Sequence, residues 1–441
     1  MMAKTRMRRV VAPIGATAIA GLALAGCTTL GGGGGGGETS GTGDNVVTVY
    51  GTILDAEAEL LEESFVPFEE ETGIDVQYEG SREFESQVGI RAQGGNPPDV
   101  AIFPQPGLFA DLATRGYLVP APEGVAANVA EYWSEDWAGY GTVDGTLYGA
   151  PLMASVKGFI WYSPSKFAEW GVEVPETWDE LLALTQQIRD LTGQPPWCAG
   201  FGSGDATGWP GTDWVEDLVL RQSGPEVYDQ WVSHEIPFTD PAIRDAFDAV
   251  GDILLNPEYV NAGFGDVQSI ASTEFGDVAA AVVSGECALH HQASFYDGFL
   301  TDAGATVAED GDVWAFITPG MEPGATAVTG GGEIVGAFNS DPSTVAFLEY
   351  LSSPEWANER VSLGGVISAN SGLDPSNASS GILEQAIEIL QDPGTTFRFD
   401  ASDLMPAAVG SGSFWDGMIA WIGGTPVDQV LQQIDSAWPS S

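Results

Sequence analysis

Basic residues are scarce in this chain of 441 residues, in which 14 Lys and Arg stand against 63 Asp and Glu and give a formal net charge of −49 at pH 7. A surface of that sign repels phosphate backbones, so nucleic-acid binding through a basic footprint is excluded. The same charge disfavours an anionic substrate that is steered by a long-range field. The ligand is therefore expected to be neutral or cationic.

Histidines and catalytic motifs are also scarce. The chain has three histidines, His234, His290 and His291, and it contains no HExxH, GxSxG, P-loop or CxxC motif. With 63 acidic residues, carboxylate pairs at the spacing used in glycoside hydrolysis must occur, so their presence is not diagnostic. We predict no catalytic residue, no metal site and no cofactor. The alternative from another functional class is that the protein is a secreted glycoside-active enzyme.

Long apolar runs are missing as well: no uninterrupted run of about 18 apolar residues, the length that suggests a membrane-spanning helix, follows the N-terminal region. Residues 1–26 have the order of a secretory signal, with basic residues first, then a short apolar segment from Val10 to Ala23, and small residues directly before Cys27. The mature protein is therefore expected to act outside the cytoplasm.

The small residues before Cys27 resemble the lipobox of bacterial lipoproteins. In that family the cysteine becomes the first mature residue and carries lipid, so the resemblance implies a membrane contact through the lipid alone. Residues 27–44 include a glycine run from Gly31 to Gly37 and are expected to form a flexible tether. An unmodified secreted protein with a stray cysteine is the alternative.

Two further cysteines, Cys198 and Cys287, complete the set of three. Outside the cytoplasm such a pair is predicted to form one disulfide. Closing a loop of about 90 residues stabilises a fold by roughly 4–5 kcal/mol in the chain-entropy model. Because His290 and His291 lie close to Cys287 in the sequence, a catalytic cysteine is the alternative interpretation.

Strand and helix patterns alternate from residue 46 onward. Apolar or alternating runs predict strands at Val46–Tyr50, Ile74–Tyr78 and Asp99–Phe103, and the intervening segments Asp55–Glu71 and Arg82–Gln93 have helical patterns. This order predicts an α/β fold with right-handed crossovers in a parallel sheet. Ligands of such sheets bind at the carboxyl ends of the strands.

Several short motifs resemble one family. In chain order they are Asn96–Val100, Leu118–Pro120, Gly158–Tyr162, Pro175–Leu181, Gly285–Leu289 and Phe414–Trp415. Together they are similar to motifs of the carbohydrate-type extracellular solute-binding proteins of ATP-binding-cassette (ABC) importers, which are related to maltose-binding protein. Three further segments resemble the α-glucoside-binding branch of that family: Trp197–Cys198, Thr207–Pro210 and His291–Phe295.

The resemblance implies a two-lobed periplasmic-binding-protein fold with the ligand cleft between the lobes. It also implies three inter-lobe crossings, which we place near Ser155, Val313 and Pro354. The N-terminal lobe is then expected to comprise residues 45–154 plus 314–354, and the C-terminal lobe residues 155–313 plus 355–441. We expect a monomer that closes around a sugar by a hinge motion and delivers it to an ABC permease.

A sugar offers hydroxyl groups at its rim and C–H groups on its faces, so its site needs aromatic platforms and short polar side chains. Trp209 lies between Gly208 and Pro210, in a loop where it has no helix to pack in. Trp415 occupies the stacking position that the resemblance implies. We expect both tryptophans to contact the ligand.

The candidate polar contacts lie at strand ends, at a crossing or in loops, and they are Tyr50, Gln105, Lys157, Gln292, Glu333 and Asp403. A salt bridge to an acidic residue is the alternative role for Lys157, and backbone support is the alternative for Glu333. The acidic composition also leaves a polyamine open as the ligand of the same fold.

Overall fold

A computed structural model describes residues 45–392 and 394–439. The predicted signal segment 1–26, Cys27 and the tether 27–44 lie outside the described residues. Within the described ranges, no helix combines the length and the apolar character that crossing a membrane requires.

The strands, numbered β1 to β11 in chain order, are Val46–Gly51, Asp75–Gly80, Val100–Phe103, Thr142–Val143, Thr146–Leu147, Gly149–Val156, Phe159–Tyr162, Leu289–Gln292, Trp314–Ile317, Ala327–Ala337 and Thr396–Phe399. The α-helices, numbered α1 to α18, are Asp55–Glu63, Val66–Thr72, Phe84–Gln93, Pro106–Thr114, Glu123–Tyr132, Glu135–Tyr140, Pro164–Trp170, Trp178–Thr192, Trp209–Val232, Pro241–Leu254, Val278–Ser284, Tyr296–Asp302, Pro342–Leu351, Pro354–Ser362, Gly381–Gln391, Ala401–Leu404, Trp415–Ile422 and Val427–Ser436.

The larger sheet has the strand order β11-β10-β3-β1-β2, and β6 also pairs with β10. Strands β1, β2 and β3 are parallel, as predicted, whereas β10 runs antiparallel to β3 and β6. All four residues of β3 are buried, which accounts for its continuous apolar sequence. We call this sheet and the helices packed on it the first lobe.

The smaller sheet is antiparallel and has the strand order β8-β7-β9. It shares one apolar core with α8, α9 and α10, to which these helices contribute Leu181, Leu218 and Phe247. Helix α9 is kinked at Gly224, whose φ is 81°, directly before Pro225. We call the smaller sheet and the elements packed on it the second lobe.

Stretches of chain that connect the two sheets lie side by side. Lys157 and Gly158 join β6 to β7, residues 318–326 join β9 to β10, and Asp400 leads from β11 to α16, which packs on α9. The Lys157 N–H donates to Thr329 O at 2.9 Å, and the Asp400 N–H donates to Gly330 O at 2.7 Å. The start of β10 is therefore hydrogen-bonded to both neighbouring connections.

The structure shows which elements lie at the positions predicted as crossings near Val313 and Pro354. Pro354 begins α14, and the side chains of Tyr350 and Trp356 on either side of it donate to Ser64 of the first lobe at 2.9 and 3.0 Å. Strand β9, which begins one residue after Val313, pairs with β7 in the second lobe.

Cys198 and Cys287 form the predicted disulfide, with their Cα atoms 5.5 Å apart. The bond joins the segment after Trp197, which is bridged to Leu289 of β8, to the loop between α11 and β8. Because both sulfurs are bonded to each other, neither cysteine is a thiol nucleophile in this structure.

Candidate functional site

A cavity of about 1140 Å³ is lined by residues of both lobes. Thr52 and Gln105 line it just after the carboxyl ends of β1 and β3, and Glu333 lines it from β10. Trp209, at the start of α9, and Phe275 line it from the second lobe. The cavity thus lies where parallel strands of an α/β sheet place their ligands.

Most of the predicted contact residues meet in this cavity, which is lined by Gln105, Lys157, Trp209, Glu333, Asp403 and Trp415. Tyr50 and Gln292 are not among the lining residues. The sequence therefore identified side chains from the turn after β3, from the β6–β7 connection, from α9 and from α17 that the fold brings to one place.

Tyr50 and Gln292 point into the protein interior instead. Tyr50 is buried, with its ring centroid 5.1 Å from that of Phe84 and 4.0 Å from the Arg91 guanidinium. Gln292 lies in strand β8, not in a loop, and its Oε1 accepts a hydrogen bond from the Ala293 N–H at 2.8 Å. Packing against the first-lobe core and pairing in the smaller sheet therefore remove both side chains from the cavity.

An aromatic wall, comprising Trp209, Phe275, Phe295 and Phe299, forms part of the cavity lining. The ring centroids of Trp209 and Phe275 are 5.2 Å apart and those of Phe275 and Phe299 are 5.3 Å apart, both in edge-to-face geometry. Trp209 is only partly buried, so part of its ring is available to the C–H face of a ligand.

Trp415 lies beside Trp209 but is nearly enclosed. Gly208, which precedes Trp209, has a φ of 118°, and a Cβ at this position would collide with the backbone of Trp415. The Trp415 side chain is 2% exposed, and its Nε1 has no hydrogen-bond partner in the described part of the chain. Trp415 therefore offers the cavity an N–H donor more readily than a stacking face.

Lys157 belongs to a buried charge cluster at the cavity. Its Nζ donates to Asp213 Oδ1 at 2.8 Å and also to Asp400 Oδ2. Burial works against its charged form, but the charges of Asp213 and Asp400 outweigh burial and raise the pKa of Lys157. Lys157 therefore forms the salt bridge that was the alternative to a ligand contact, and carboxyl groups of the protein compensate its charge.

The remaining members of the charge cluster are carboxyl groups, so that the full cluster comprises Lys157, Asp213, Glu216, Asp400 and Asp403. Burial raises the pKa of Asp213, Glu216 and Asp403, which favours their protonated forms. Burial also disfavours the charged form of Asp400, but Lys157 outweighs it and lowers the pKa of this carboxyl. One ammonium group therefore compensates mainly one carboxylate.

Three of these carboxyl groups lie close enough to suggest a metal site. Oxygen atoms of Asp213, Glu216 and Asp400 are within 4.8 Å of one another. The Lys157 ammonium already bonds two of them, and Glu216 accepts hydrogen bonds from the Ala401 and Ser402 N–H groups at 2.9 and 3.1 Å. The lysine supplies the positive charge that a metal ion would otherwise bring.

Glu333 lies where the pairing of β10 with β6 is irregular. The register shifts between Gly332 and Ile334, and such irregularities re-aim side chains. Glu333 lines the cavity together with Glu57 of α1. Burial raises the pKa of Glu333 to about 7, the charge of Glu57 acts in the same direction, and Arg360 acts against both.

The two lobes also touch beside the cavity, in a group that we call the clasp and that comprises Arg82, Ser86, Gly204, Asp205 and Glu274. The Asp205 N–H donates to Arg82 O at 3.0 Å, and the Ser86 hydroxyl donates to Asp205 Oδ2 at 2.6 Å. Arg82 Nη1 lies 3.1 Å from Glu274 Oε2. Gly204 has a φ of 59°, and a Cβ there would lie 2.8 Å from Arg82 Cβ and O.

Buried polar atoms of three cavity residues have no hydrogen-bond partner within residues 45–392 and 394–439: Gln105 Oε1, Asp297 Oδ1 and Trp415 Nε1. Almost all buried polar atoms in native proteins are satisfied, so these atoms mark positions where a ligand or water can bond. Gln105 and Trp415 were predicted from the sequence. Asp297, in α12, was not, because a carboxylate inside an acidic chain carries no distinguishing signal.

Residues 50–358 match the family model of the bacterial extracellular solute-binding protein. The chain belongs to this family. Its members are transport receptors and not enzymes, which agrees with the resemblance seen in the sequence motifs. This solute-binding protein shares its family with receptors of ABC transporters, one of which is an extracellular-binding protein of Pyrococcus horikoshii that is 28% identical over 57% of the chain.

Two relatives match over nearly their full lengths. The osmoprotective compounds-binding protein GgtB of Synechocystis sp. is 40% identical over 397 residues, which cover 89% of this chain and 92% of GgtB. The alpha-glucosides-binding periplasmic protein AglE of Rhizobium meliloti is 38% identical over 406 residues, which cover 89% of this chain and 87% of AglE.

Solved structures confirm the two-lobed α/β fold. The bacterial solute receptor AcbH superimposes with a TM-score of 0.76 at 18% identity, over 89% of this chain and 97% of AcbH. A chitin oligosaccharide binding protein superimposes with a TM-score of 0.75 at 20% identity, over 89% of this chain and 98% of that protein. At these identities the matches establish the fold alone.

Proposed function

We propose that this solute-binding protein binds a sugar or oligosaccharide, preferentially an α-glucoside, in the cavity between its lobes. The observation that carries the proposal is that a partly exposed aromatic platform, Trp209, shares one cavity with polar atoms of Gln105 and Trp415 that have no partner in the part of the chain that the structure describes. The platform suits the C–H face of a sugar ring, and the polar atoms suit its hydroxyl groups. The ligand in the name of AglE supports an α-glucoside.

The charge of the cavity supports an uncharged ligand. Lys157 is neutralised mainly by Asp400 and also bonds Asp213, and the lining includes the carboxyl groups of Glu57 and Glu333. An anionic ligand would have to overcome their repulsion, whereas hydroxyl groups can donate hydrogen bonds to them. The ligand class in the name of GgtB, osmoprotective compounds, is consistent with a small solute.

The protein is further proposed to leave its ligand chemically unchanged. Cys198 and Cys287 are bonded to each other, and neither His290 nor His291 lines the cavity. His290 bonds Cys198 O at 3.0 Å and His291 bonds Asp217 Oδ2 at 3.1 Å, so both rings have structural partners. These arrangements support a receptor over a glycoside-active enzyme.

We propose crossings between the lobes at 157–158, within 318–326 and at Asp400. The first lobe then comprises residues 45–156 plus 327–399, and the second lobe residues 157–326 plus 400–439. The side-by-side hydrogen bonds of Lys157 with Thr329 and of Asp400 with Gly330 support this assignment. A hinge made of adjacent strands allows rotation with few lost contacts.

The remaining proposals concern the partners. Cys27 is proposed to carry lipid and residues 27–44 to tether the protein to the outer face of the cell membrane. The folded part is proposed to act as a monomer that presents the rims of its two lobes to an ABC permease. The lipobox-like sequence and the family membership support this arrangement.

A cationic ligand such as a polyamine is the second candidate, because carboxyl groups are common in the lining and include those of Glu57, Glu85 and Glu333. A thermal-shift panel of the full chain with maltose, trehalose, sucrose, longer glucosides, pentose oligomers and spermidine separates the two. A ligand at 100 times its Kd stabilises by about 2.7 kcal/mol, which raises the Tm measurably. We expect shifts with α-glucosides and no cleavage products; a shift with spermidine alone, or turnover of an oligosaccharide, would refute the proposal.

A further inference from the structure

Asp297 differs from the other acidic residues of the cavity in how its two oxygen atoms are used. Its Oδ2 accepts a hydrogen bond from the Ser380 hydroxyl at 3.2 Å. Its Oδ1 is buried and has no partner among the residues that the structure describes, although the side chain lines the cavity. One oxygen is therefore held in place while the other remains available.

The surroundings of Asp297 fix its orientation. It lies in the first turn of α12 and is 5% exposed. Ser380 caps α15 and accepts a hydrogen bond from the Leu383 N–H at 3.4 Å, so its hydroxyl proton points to Asp297. While the lobes are in this arrangement, a side chain held in this way loses little further conformational entropy when it bonds a ligand.

The position of Asp297 also links it to the aromatic wall. Phe295 and Phe299 are on the same chain segment, two residues before and after it, and both line the cavity. Asp297 thus lies between two residues of the wall in the sequence, and all three side chains line one cavity. An ionised oxygen is a stronger hydrogen-bond acceptor than an amide or hydroxyl oxygen.

We propose that Asp297 Oδ1 accepts a hydrogen bond from one ring hydroxyl of the ligand and that this bond determines which sugars the cavity accepts. This inference rests on the proposed function, since it names a specificity-determining residue of the same site. A site built to bond a hydroxyl rejects an analogue that lacks it, because the buried polar group is then left without a partner.

The buried carboxyl group of Asp297 lowers the stability of the unliganded protein. Burial raises the pKa of Asp297 to about 6, and the Ser380 hydroxyl acts against this shift. At pH 7.5 the carboxyl group is therefore mostly ionised, in a position that disfavours the charge. Replacing it by the uncharged isostere Asn is expected to leave the unliganded Tm unchanged or higher, whereas a carboxylate with only a structural role would lower the Tm when lost.

The test compares wild type, Asp297→Asn and the exposed-loop control Asp310→Asn, which changes the net charge equally. Isothermal titration at pH 7.5 uses maltose, trehalose and sucrose, together with derivatives that lack a single hydroxyl of the glucosyl unit. Asp297→Asn should weaken binding roughly 10- to 100-fold, while Asp310→Asn should bind as wild type does. One deoxy derivative should bind wild type more weakly than its parent sugar by the same factor. On Asp297→Asn, that derivative and its parent sugar should bind equally well.

The outcomes distinguish this inference from the function on which it rests. If wild type binds the sugars and Asp297→Asn binds them equally well, the role of Asp297 is refuted and the sugar-receptor proposal stands. That role is refuted equally if the variant loses affinity but every deoxy derivative loses a further equal factor, since no hydroxyl is then coupled to the carboxylate. If wild type binds none of the sugars, the proposed function itself has failed.

Discussion

Lys157 and Asp400 form a buried ion pair between positions 243 residues apart in the sequence. Each follows a strand of the larger sheet, β6 and β11, and each donates its backbone N–H to the start of β10. Asp213 of α9 holds the same ammonium at 2.8 Å. One side chain thus holds two of the proposed crossings together where the proposed hinge lies.

Lys157→Met is expected to destabilise the protein by about 3–5 kcal/mol, because it leaves buried carboxyl groups without their cation. Urea unfolding at pH 7 measures the change. Lys166→Met is the matched control, since Lys166 is 48% exposed and its one ion pair among the described residues is with Glu169 at 2.9 Å. That variant should lie within about 0.5 kcal/mol of wild type. Equal losses in the two variants would contradict the role of the buried ion pair.

Removing the disulfide with Cys198→Ser and Cys287→Ser is expected to lower the free energy of unfolding by about 2–5 kcal/mol, since the unfolded chain regains the freedom of a long loop. Denaturation with and without a reductant provides the check. Reductant should destabilise wild type to a similar extent and leave the double variant unchanged. A reductant effect on the double variant would show that another process is being measured.

Gly204→Ala is expected to weaken ligand binding severalfold, because its Cβ would press on Arg82 and hold the clasp apart. The matched control is Gly145→Ala, which also has a positive φ, 76°, but would place its Cβ more than 4 Å from any described residue beyond its chain neighbours. Both variants should lose similar stability from backbone strain. Titration with the sugar that binds wild type, alongside small-angle X-ray scattering, should show loss of affinity and a wider molecule for Gly204→Ala only.

The pH dependence of stability should report Glu333. Its pKa is raised to about 7 in the folded protein from an ordinary value of 4.5, so the folded state binds the proton more tightly. Stability contributed by this group is present at low pH and is lost as the pH rises from 4.5 through 7. Glu333→Gln should therefore match wild type near pH 4 and exceed it by about 1–3 kcal/mol at pH 8. Urea unfolding measures both proteins across that range. A stability difference that stays constant with pH would rule out this role of Glu333.

Much of the fold follows from local patterns. The apolar run of β3 predicted a buried parallel strand, and Thr177 caps α8 by accepting from the Glu180 N–H, as its position suggests. The helix predicted over 55–71 is instead two helices, α1 and α2, separated at Ser64 and Phe65, with Pro67 near the start of the second. A proline so placed begins a helix more readily than it kinks one.

The site was only partly predictable, because tertiary partners decide which way a side chain points. Strand β8, with the sequence Leu-His-His-Gln, lacks an apolar strand pattern. Its polar residues are buried, and His290 Nδ1 bonds Cys198 O while His291 Nε2 bonds Asp217 Oδ2. Gln292, which lies in the same strand, is also an interior residue. No local pattern reveals that Asp297 meets Ser380, 83 residues away.

The clasp joins its two halves by bonds of different physical character. The Arg82–Glu274 ion pair has side chains 53% and 46% exposed, so dissolved ions reach it and screen it. The backbone bond from Asp205 to Arg82 and the close approach at Gly204 involve no net charge. A receptor whose lobes meet through such a clasp should close in nearly the same geometry in brackish and in fresh water. Only the free energy of closure should vary with salinity.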